Sequence, residues 1–522
     1  MDNNRRQSLY ICCFTLQSID ERRYKCYNKV LMAKSITKTK KRVKKTTRKV
    51  TKKSAAKTVS KKKVKKKIAG FVKVNSKKAF SSYKDALRYL FDKTDYERQG
   101  TLRYNVTTFN LDRMEKLLSL LANPHKKIPT VHIAGTKGKG STATMLARML
   151  ESNSYKVGLY TSPHVLSLHE RITVNAEMIT EHEMLGLLNR VYAPIEKMSK
   201  KEAPTFFEIM TALAFMHFAD AEVDIAVIET GLGGRLDSTN VIEPKVVGIT
   251  SLSIDHQRQL GNTLDSIARE KAGVFKKGVP IVTVQQHPEA MSVLKSEAIA
   301  VNAPLSITGE DIDFSYRFET SREHGPHTRI CLVTPTSRFE HLRVPLLGKH
   351  QAINCGLALA MLDKLKSRGY EIDNEKAMEG LNNVSLSGRM EMICDDPRIM
   401  IDAAHNAASI KVLIQAIGQN IPYDSMVVIF GCNSDKDIEG MLGELQYGAD
   451  KVIFTRSNSP KAVPPESLAE KYIEICDKMC QSASSLGEAL LLAKSAVGKE
   501  DLICITGSFY LIGQAKSRFQ RV

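Results

Sequence analysis

The chain has 522 residues, 43% of them apolar, which admits two or three domains with sizeable cores and gives no apolar run long enough for a membrane span. Its formal charge of +21 is local: residues 34–67 hold 18 Lys and Arg and no acid, residues 1–33 add a net +3, and the remainder sums to zero. A basic nucleic-acid-binding core is thereby excluded, and the charge belongs to an appendage.

Residues 1–70 read as a basic, disordered tail, because a block such as KKRVKKTTRKVTKK repels itself and buries almost nothing. It can bind nucleic acid or another polyanion nonspecifically by counterion release, or serve as a solubilising arm or an address. Ahead of it, LYICCFTL is short and apolar but lacks a small-residue cleavage site, Asp20 and Glu21 are atypical of a transit peptide, and Met32 is a candidate start. The ten cysteines are scattered without a metal-site pattern, as expected in a reducing cytoplasm; Cys476 and Cys480, four apart, predict one apolar helix face.

From residue 71 to 123 the spacing in KDALRYLF and LDRMEKLLSLLA predicts helices. Then TVHIAGTKGKGSTATMLARML runs from an apolar strand through a glycine-rich turn into a helix. Gly135, Gly138 and Gly140 let backbone approach an anion, the N–H groups opening the helix face it, Lys139 reaches outer phosphates, and Ser141 suits Mg2+. The strict nucleotide-loop spelling is not met, because Ile133 and Gly140 stand where Gly and Ser or Thr belong. Strand, glycines, lysine, hydroxyl and helix in that order still predict phosphate binding over a mere tight turn.

Further strands KVGLYTS, VDIAVIET, KVVGITSL and VPIVTV alternate with helices such as EIMTALAFMHFA, which predicts a mostly parallel sheet covered on both faces. Glu229 closes one of these strands before TGLGGRLDSTN, and Asp255 and His256 close another, so both places suit a metal beside a nucleotide. Lys271, in IAREKAGVFKKG, reads by itself as a solvated helix lysine. The polar stretch 305–347 predicts antiparallel strands appended to this first domain, 71–385.

A second alternation over 386–522 (RIMI, MVVIF, KVIF and LICIT, each followed by a helix) predicts a smaller open α/β domain. Asp402, His405 and Asn406 follow its first strand as DAAHN, at the carboxyl end where such folds bind ligands. Arg389 precedes them and is either a phosphate-gripping fork or a plain linker cation.

The ordered set HIAGTKGKGST, LYTSPH, HERI, TFFE, IETGLGGRLDSTN, SIDHQ, REKAGVFKKG, GKHQAINC, GRME, IDAAHN and CITGSFYL resembles the folylpolyglutamate synthase and dihydrofolate synthase family of the Mur ligase superfamily, over 102–513. The resemblance implies a P-loop-containing, Mur-ligase-like ATPase domain followed by a smaller Rossmann-like domain. It implies that Gly135, Thr136, Gly138, Lys139, Gly140 and Ser141 form the ATP loop and that Asn354, Arg389 and Asp402 contact ATP, with His405 in the same cleft. Ser162 and Glu229 would bind one Mg2+ and His256 a second, and Lys271 would be carbamylated into a further Mg2+ ligand. Thr205, Phe206, Phe207 and Glu208, with Leu236, Asp237 and Ser238, match the positions that hold the pterin in bifunctional members. The stretch 96–109 departs from the family's pterin loop, and the tail has no family counterpart.

The activity so implied is ATP-dependent addition of L-glutamate to dihydropteroate, to the glutamate of folates, or to both, through an acyl phosphate, by a cytoplasmic monomer. Lys139, Lys271 and His405 would be its catalytic residues. Alternatives are a polyglutamylase alone, another Mur-type ligase acting on a cell-wall precursor, and a nucleic-acid-binding protein on an NTPase scaffold.

Overall fold

The strand TVHIA is buried at all five positions, and so is IAVIE beside it, as a parallel strand covered on both faces requires. The computed structural model describes residues 79–94, 109–254, 257–322 and 325–520. The basic tail, most of the 96–109 stretch, Asp255 and His256 lie outside them.

The first sheet has eight strands: β1 (Thr130–Ala134), β2 (Val157–Tyr160), β3 (Ile172–Val174), β4 (Glu177–Met178), β5 (Ile225–Glu229), β6 (Pro244–Ile249), β7 (Ile281–Thr283) and β8 (Leu305–Ile307). Their order is β4-β3-β2-β5-β1-β6-β7-β8, parallel except for the β2-β3-β4 hairpins at one edge. Successive residues serve opposite faces: Ile225 and Val227 enter the core beneath the helix Lys139–Ser152, while Ala226 and Ile228 enter the core of the helix Phe206–Asp220. The latter helix is buried almost all round, so its sequence shows little amphipathic contrast. Burial of each such Ile or Val contributes about 1.5–3 kcal/mol.

A second sheet, β9 (Asp313–Ser321), β10 (Gly325–Val333) and β11 (Arg338–Val344), is antiparallel as expected. The expectation fails at 305–307, however, because β8 pairs parallel with β7 and completes the first sheet. The helix Lys349–Lys366 then packs under both.

The C-terminal lobe is a six-stranded sheet, β12 (Glu391–Asp395), β13 (Arg398–Ile401), β14 (Met426–Phe430), β15 (Lys451–Phe454), β16 (Cys480–Ser482) and β17 (Leu502–Thr506), ordered β12-β13-β17-β14-β15-β16. Strands β12 and β16 were not foreseen. The shared helix face expected for Cys476 and Cys480 is corrected here: the helix Pro465–Cys476 stops at Asp477, which takes the left-handed conformation, and Cys480 opens the edge strand β16. Both thiols still pack on the lobe's core. All the cysteines among the described residues are free, and no described helix is long and apolar enough to cross a membrane. Residues Asn75–Val522 form one compact unit.

Candidate active site

The glycine turn joins β1 to the helix Lys139–Ser152, whose N-cap, Gly138, sits at φ 89° with no side chain capping the first turn. The amides that open this helix are therefore available to an anion. A β-carbon built on Gly138 falls 2.1 Å from Oδ1 of Asn354, and one on Gly135 falls 1.8 Å from Oγ1 of Thr250. Both glycines are thus required by close approach as well as by dihedral. The amides of Thr136 and Lys137 donate to the Ser251 carbonyl at 3.1 and 3.2 Å, and Thr136 Oγ1 donates to the Ser253 carbonyl at 3.2 Å, pinning the turn to the chain beyond β6. Ser141 is buried in the first helical turn.

Glu229, the last residue of β5, is buried against this turn: one carboxylate oxygen lies 3.8 Å from Lys139 Nζ, and the other accepts the Ser162 amide at 3.1 Å. A β-carbon on Gly140 would stand 3.2 Å from the same carboxylate. Burial pushes the Glu229 carboxyl above its usual range, while Lys139, the Ser162 amide, Arg389 and Arg171 pull it back toward the ionised form. A carboxylate beside phosphate-binding amides suits a hard cation, and among the described residues no cluster of three His, Cys, Asp or Glu side chains offers a metal cage. The Glu229 carboxylate is a hard oxygen donor of the kind Mg2+ takes, with the Ser162 main chain bonded beside it.

Lys271 is not the solvated lysine its helix spacing suggested. It is only 4% exposed, on the helix Leu264–Ala272, and its Nζ donates to the Gly135 carbonyl at 2.7 Å. The amine is thus held at the start of the glycine turn, between β1 and the helix Lys139–Ser152.

From the C-terminal lobe, Asp402 follows β13 and is buried, accepting the Met390 and Ala404 amides at 2.9 and 2.8 Å. Burial raises its carboxyl and Arg389 opposes this. The Arg389 guanidinium lies 5.4 Å from the Phe509 ring centre, and the His405 ring packs 5.5 Å from the same ring while its Nδ1 donates to the Ala403 carbonyl at 2.7 Å. Phe509 was given no role from the sequence, although it lies in the CITGSFYL motif. Arg389 lines a cleft of about 200 Å3 with Gln351, Leu386 and Met390. His350 beside it has a buried Nδ1 without a hydrogen-bond partner; burial, then the Arg389 charge, holds its pKa near 4, so the ring is neutral. Asn354, buried, donates to Gln351 Oε1 at 3.2 Å and touches Gly138.

The residues expected at the pterin have mostly internal partners. Thr205 caps the helix Phe206–Asp220 in a reciprocal box with Glu208, and Glu208 is gripped by Arg113, whose Nε lies 2.9 and 2.8 Å from its two oxygens. Phe206 is buried, 5.8 Å from the Phe91 ring. Asp237 is buried and accepts the Leu232 and Thr239 amides, and Thr239 Oγ1 meets His132 Nε2 at 2.8 Å. Leu236 is buried as well. Phe207 and Ser238 keep partly exposed side chains, with the Phe207 ring lying across Gly231, where a β-carbon would fall 2.4 Å from it.

Residues 133–362 match the Mur ligase middle domain, and 388–509 match the Mur ligase, glutamate ligase domain. The chain is 34% identical to the dihydrofolate synthase/folylpolyglutamate synthase of Bacillus subtilis across 84% of its own length and all of that protein's. It superimposes on Mycobacterium tuberculosis folylpolyglutamate synthase, solved with ADP and AMPPCP, with a TM-score of 0.75 at 32% identity, covering 79% of this chain and 96% of that one. Against the E. coli FolC structure with DHPP and ADP the TM-score is 0.74 at 26% identity, covering 85% and 99%. A relative matched from end to end, and both Mur domains in their order around one phosphate turn, mean that this chain belongs to the folylpolyglutamate synthase/dihydrofolate synthase family of Mur ligases.

Proposed function

We propose that the chain joins L-glutamate to dihydropteroate and to the glutamate of reduced folates, using ATP to activate the acceptor's carboxylate. The observation that carries this reading is the meeting of Lys139, Glu229 and Asn354 at Gly138–Gly140, with the charge of Arg389 reaching Glu229 from the other lobe. The relatives solved with adenine nucleotides and with DHPP support both substrate classes.

The amides of 138–141 would take the ATP phosphates, with Asn354, Arg389 and Asp402 as further contacts to the nucleotide. The substrate carboxylate attacks the γ-phosphorus, forming an acyl phosphate and releasing ADP. The amine of glutamate then attacks the acyl carbon, the tetrahedral intermediate expels phosphate, and the amine loses a proton. Lys139 balances charge on the transferring group, the helix amides orient it, and Arg389 and His405 close the nucleotide side, so most of the acceleration is positioning and electrostatics. Glu229 and Ser162 would hold one Mg2+ and His256, outside the described residues, a second, with a carbamylated Lys271 as a further ligand, and the ions would supply further charge neutralisation at the phosphates.

The division at 385/386 separates the ATP and pterin portion from the lobe that completes the site, and we assign closure of that lobe over ATP before chemistry. The protein acts as a cytoplasmic monomer, and the 34–67 run binds polyanions without contributing to turnover. Phosphate release with ATP and glutamate, offered dihydropteroate and tetrahydrofolate separately, tests the assignment. Turnover with both is expected; turnover with tetrahydrofolate alone reduces it to a polyglutamylase, and turnover with neither overturns it. Removal of residues 1–67 should leave the rate intact and abolish polyanion affinity.

A further inference from the structure

Between β2 and β3 the chain makes a short loop, 161–167, that touches both parts of the active site. At its start the Ser162 amide donates to Glu229 at 3.1 Å. Three residues on, Val165 leaves the first domain's cores and packs on the hydrophobic core of the C-terminal lobe. The fit there is close: a β-carbon built on Gly513 falls 2.3 Å from the Val165 carbonyl oxygen, and one on Gly388 falls 3.4 Å from Val165 Cγ2. Gly388 directly precedes Arg389, so the lobe's contact with this loop adjoins its nucleotide-facing cation.

A loop that spans two bodies transmits position only if it is stiff, and one side chain makes it so. The Glu170 carboxylate accepts three successive backbone amides, those of Val165, Leu166 and Ser167, each at 2.8 Å. Three N–H donors on one carboxylate fix the dihedrals between them, and each charge-assisted bond is stronger than a neutral one. Flanking bonds extend the support: Arg171 Nε donates to His164 Nδ1 at 2.9 Å, and the Thr161 amide donates to the Arg171 carbonyl at 3.1 Å. His169 bridges Ser167 Oγ and Tyr83 Oη at 2.8 and 2.9 Å. His169, Glu170 and Arg171 of the HERI motif thus all brace this loop.

We propose that Glu170 is a positioning residue: by fixing the amides of Val165, Leu166 and Ser167 it holds one loop against Glu229 and the C-terminal lobe at once, so that seating of the lobe and the geometry of the Glu229 carboxylate are set together. The rate readout rests on the ligase reading above; the exchange readout does not.

Two variants approach the loop from opposite ends: Glu170→Ala releases its amides, and Gly513→Ala pushes on Val165 from the lobe. Each is expected to lower kcat about tenfold or more with the KM for ATP within about twofold, since displacement of a positioning contact acts on the reacting geometry. The double variant should lose little beyond the worse single one, because both act through one element. Hydrogen exchange on full-length protein should show Gly513→Ala loosening amides 165–167 and Glu170→Ala loosening 509–513. Loosening confined to the mutated side, or rate losses that multiply, overturns the proposal. If Glu170→Ala does not fold, exchange at 165–167 in Gly513→Ala decides alone, and if wild-type protein turns over neither pterin the exchange arm still stands.

Discussion

The ammonium of Lys139 lies 3.8 Å from one carboxylate oxygen of Glu229, and the Ser162 amide donates to the other, so the glycine-turn lysine and the strand-end acid stand side by side. Burial opposes ionisation of Glu229 and the surrounding cations favour it. Glu229→Gln should therefore lower kcat by about 10²–10³-fold, the scale of losing one preorganised electrostatic group. The denaturation midpoint should not fall, since the substitution removes a desolvated charge; a fall matching the loss of rate would make the role structural.

Gly138→Ala tests the phosphate turn. The backbone at φ 89° disfavours any β-carbon, and this one would strike Asn354. Strain of about 1–3 kcal/mol is expected in the melting curve, with at least about a tenfold rise in the KM for ATP and little change in that for glutamate.

Lys271→Ala should abolish turnover, and short carboxylates such as formate or acetate should restore part of it if the lysine is carbamylated, because they return an anion to the place the amine vacates. Lack of rescue at any concentration would remove the support for that modification.

Glu208 separates scaffold from substrate contact. It is buried, capped to Thr205 and bound by Arg113. Arg113→Met leaves that carboxylate without its cation, and urea unfolding should lose about 3–5 kcal/mol. The pterin KM of the folded fraction should stay within about threefold if Glu208 serves the scaffold alone; a large KM change with intact stability would put Glu208 at the substrate.

His132 gives the protein an acid sensitivity. Burial, with Lys276 adding to it, holds its pKa near 3, so the folded state keeps it neutral while the unfolded chain protonates near pH 6.5. The unfolded state then binds more protons below that pH, and stability falls on acidification. Linkage puts the loss at about 2 kcal/mol between pH 7 and pH 5. His132→Leu should remove that share of the slope in paired urea titrations, and an unchanged slope would exclude this histidine.

The parallel strands were legible because burial on both faces leaves a continuous apolar run such as IAVIE, a pattern that needs no tertiary information. The phosphate turn was legible for a related reason: glycine, lysine and hydroxyl at a strand-to-helix junction have few other uses. The scaffold role of TFFE was also written in the chain, since Thr followed three residues later by Glu before an apolar helix is a capping box. Cys480 was misplaced because helical spacing continues past Cys476, whereas the left-handed Asp477 ends the helix.

By itself, then, the sequence determined the buried parallel strands and the helices between them, the glycine turn and the family to which the ordered motifs belong, because each is written in short stretches of the chain, whereas the edge strands β8, β12 and β16 were not. Tertiary structure decided which side chains share a place: Lys271 buried against Gly135, Phe509 beneath Arg389, and Val165 seated on Gly388 and Gly513. Those pairs are separated by more than a hundred residues, and only tertiary packing, within each lobe for the first two and between the lobes for Val165, brings them into contact by burying apolar faces without regard to distance along the chain.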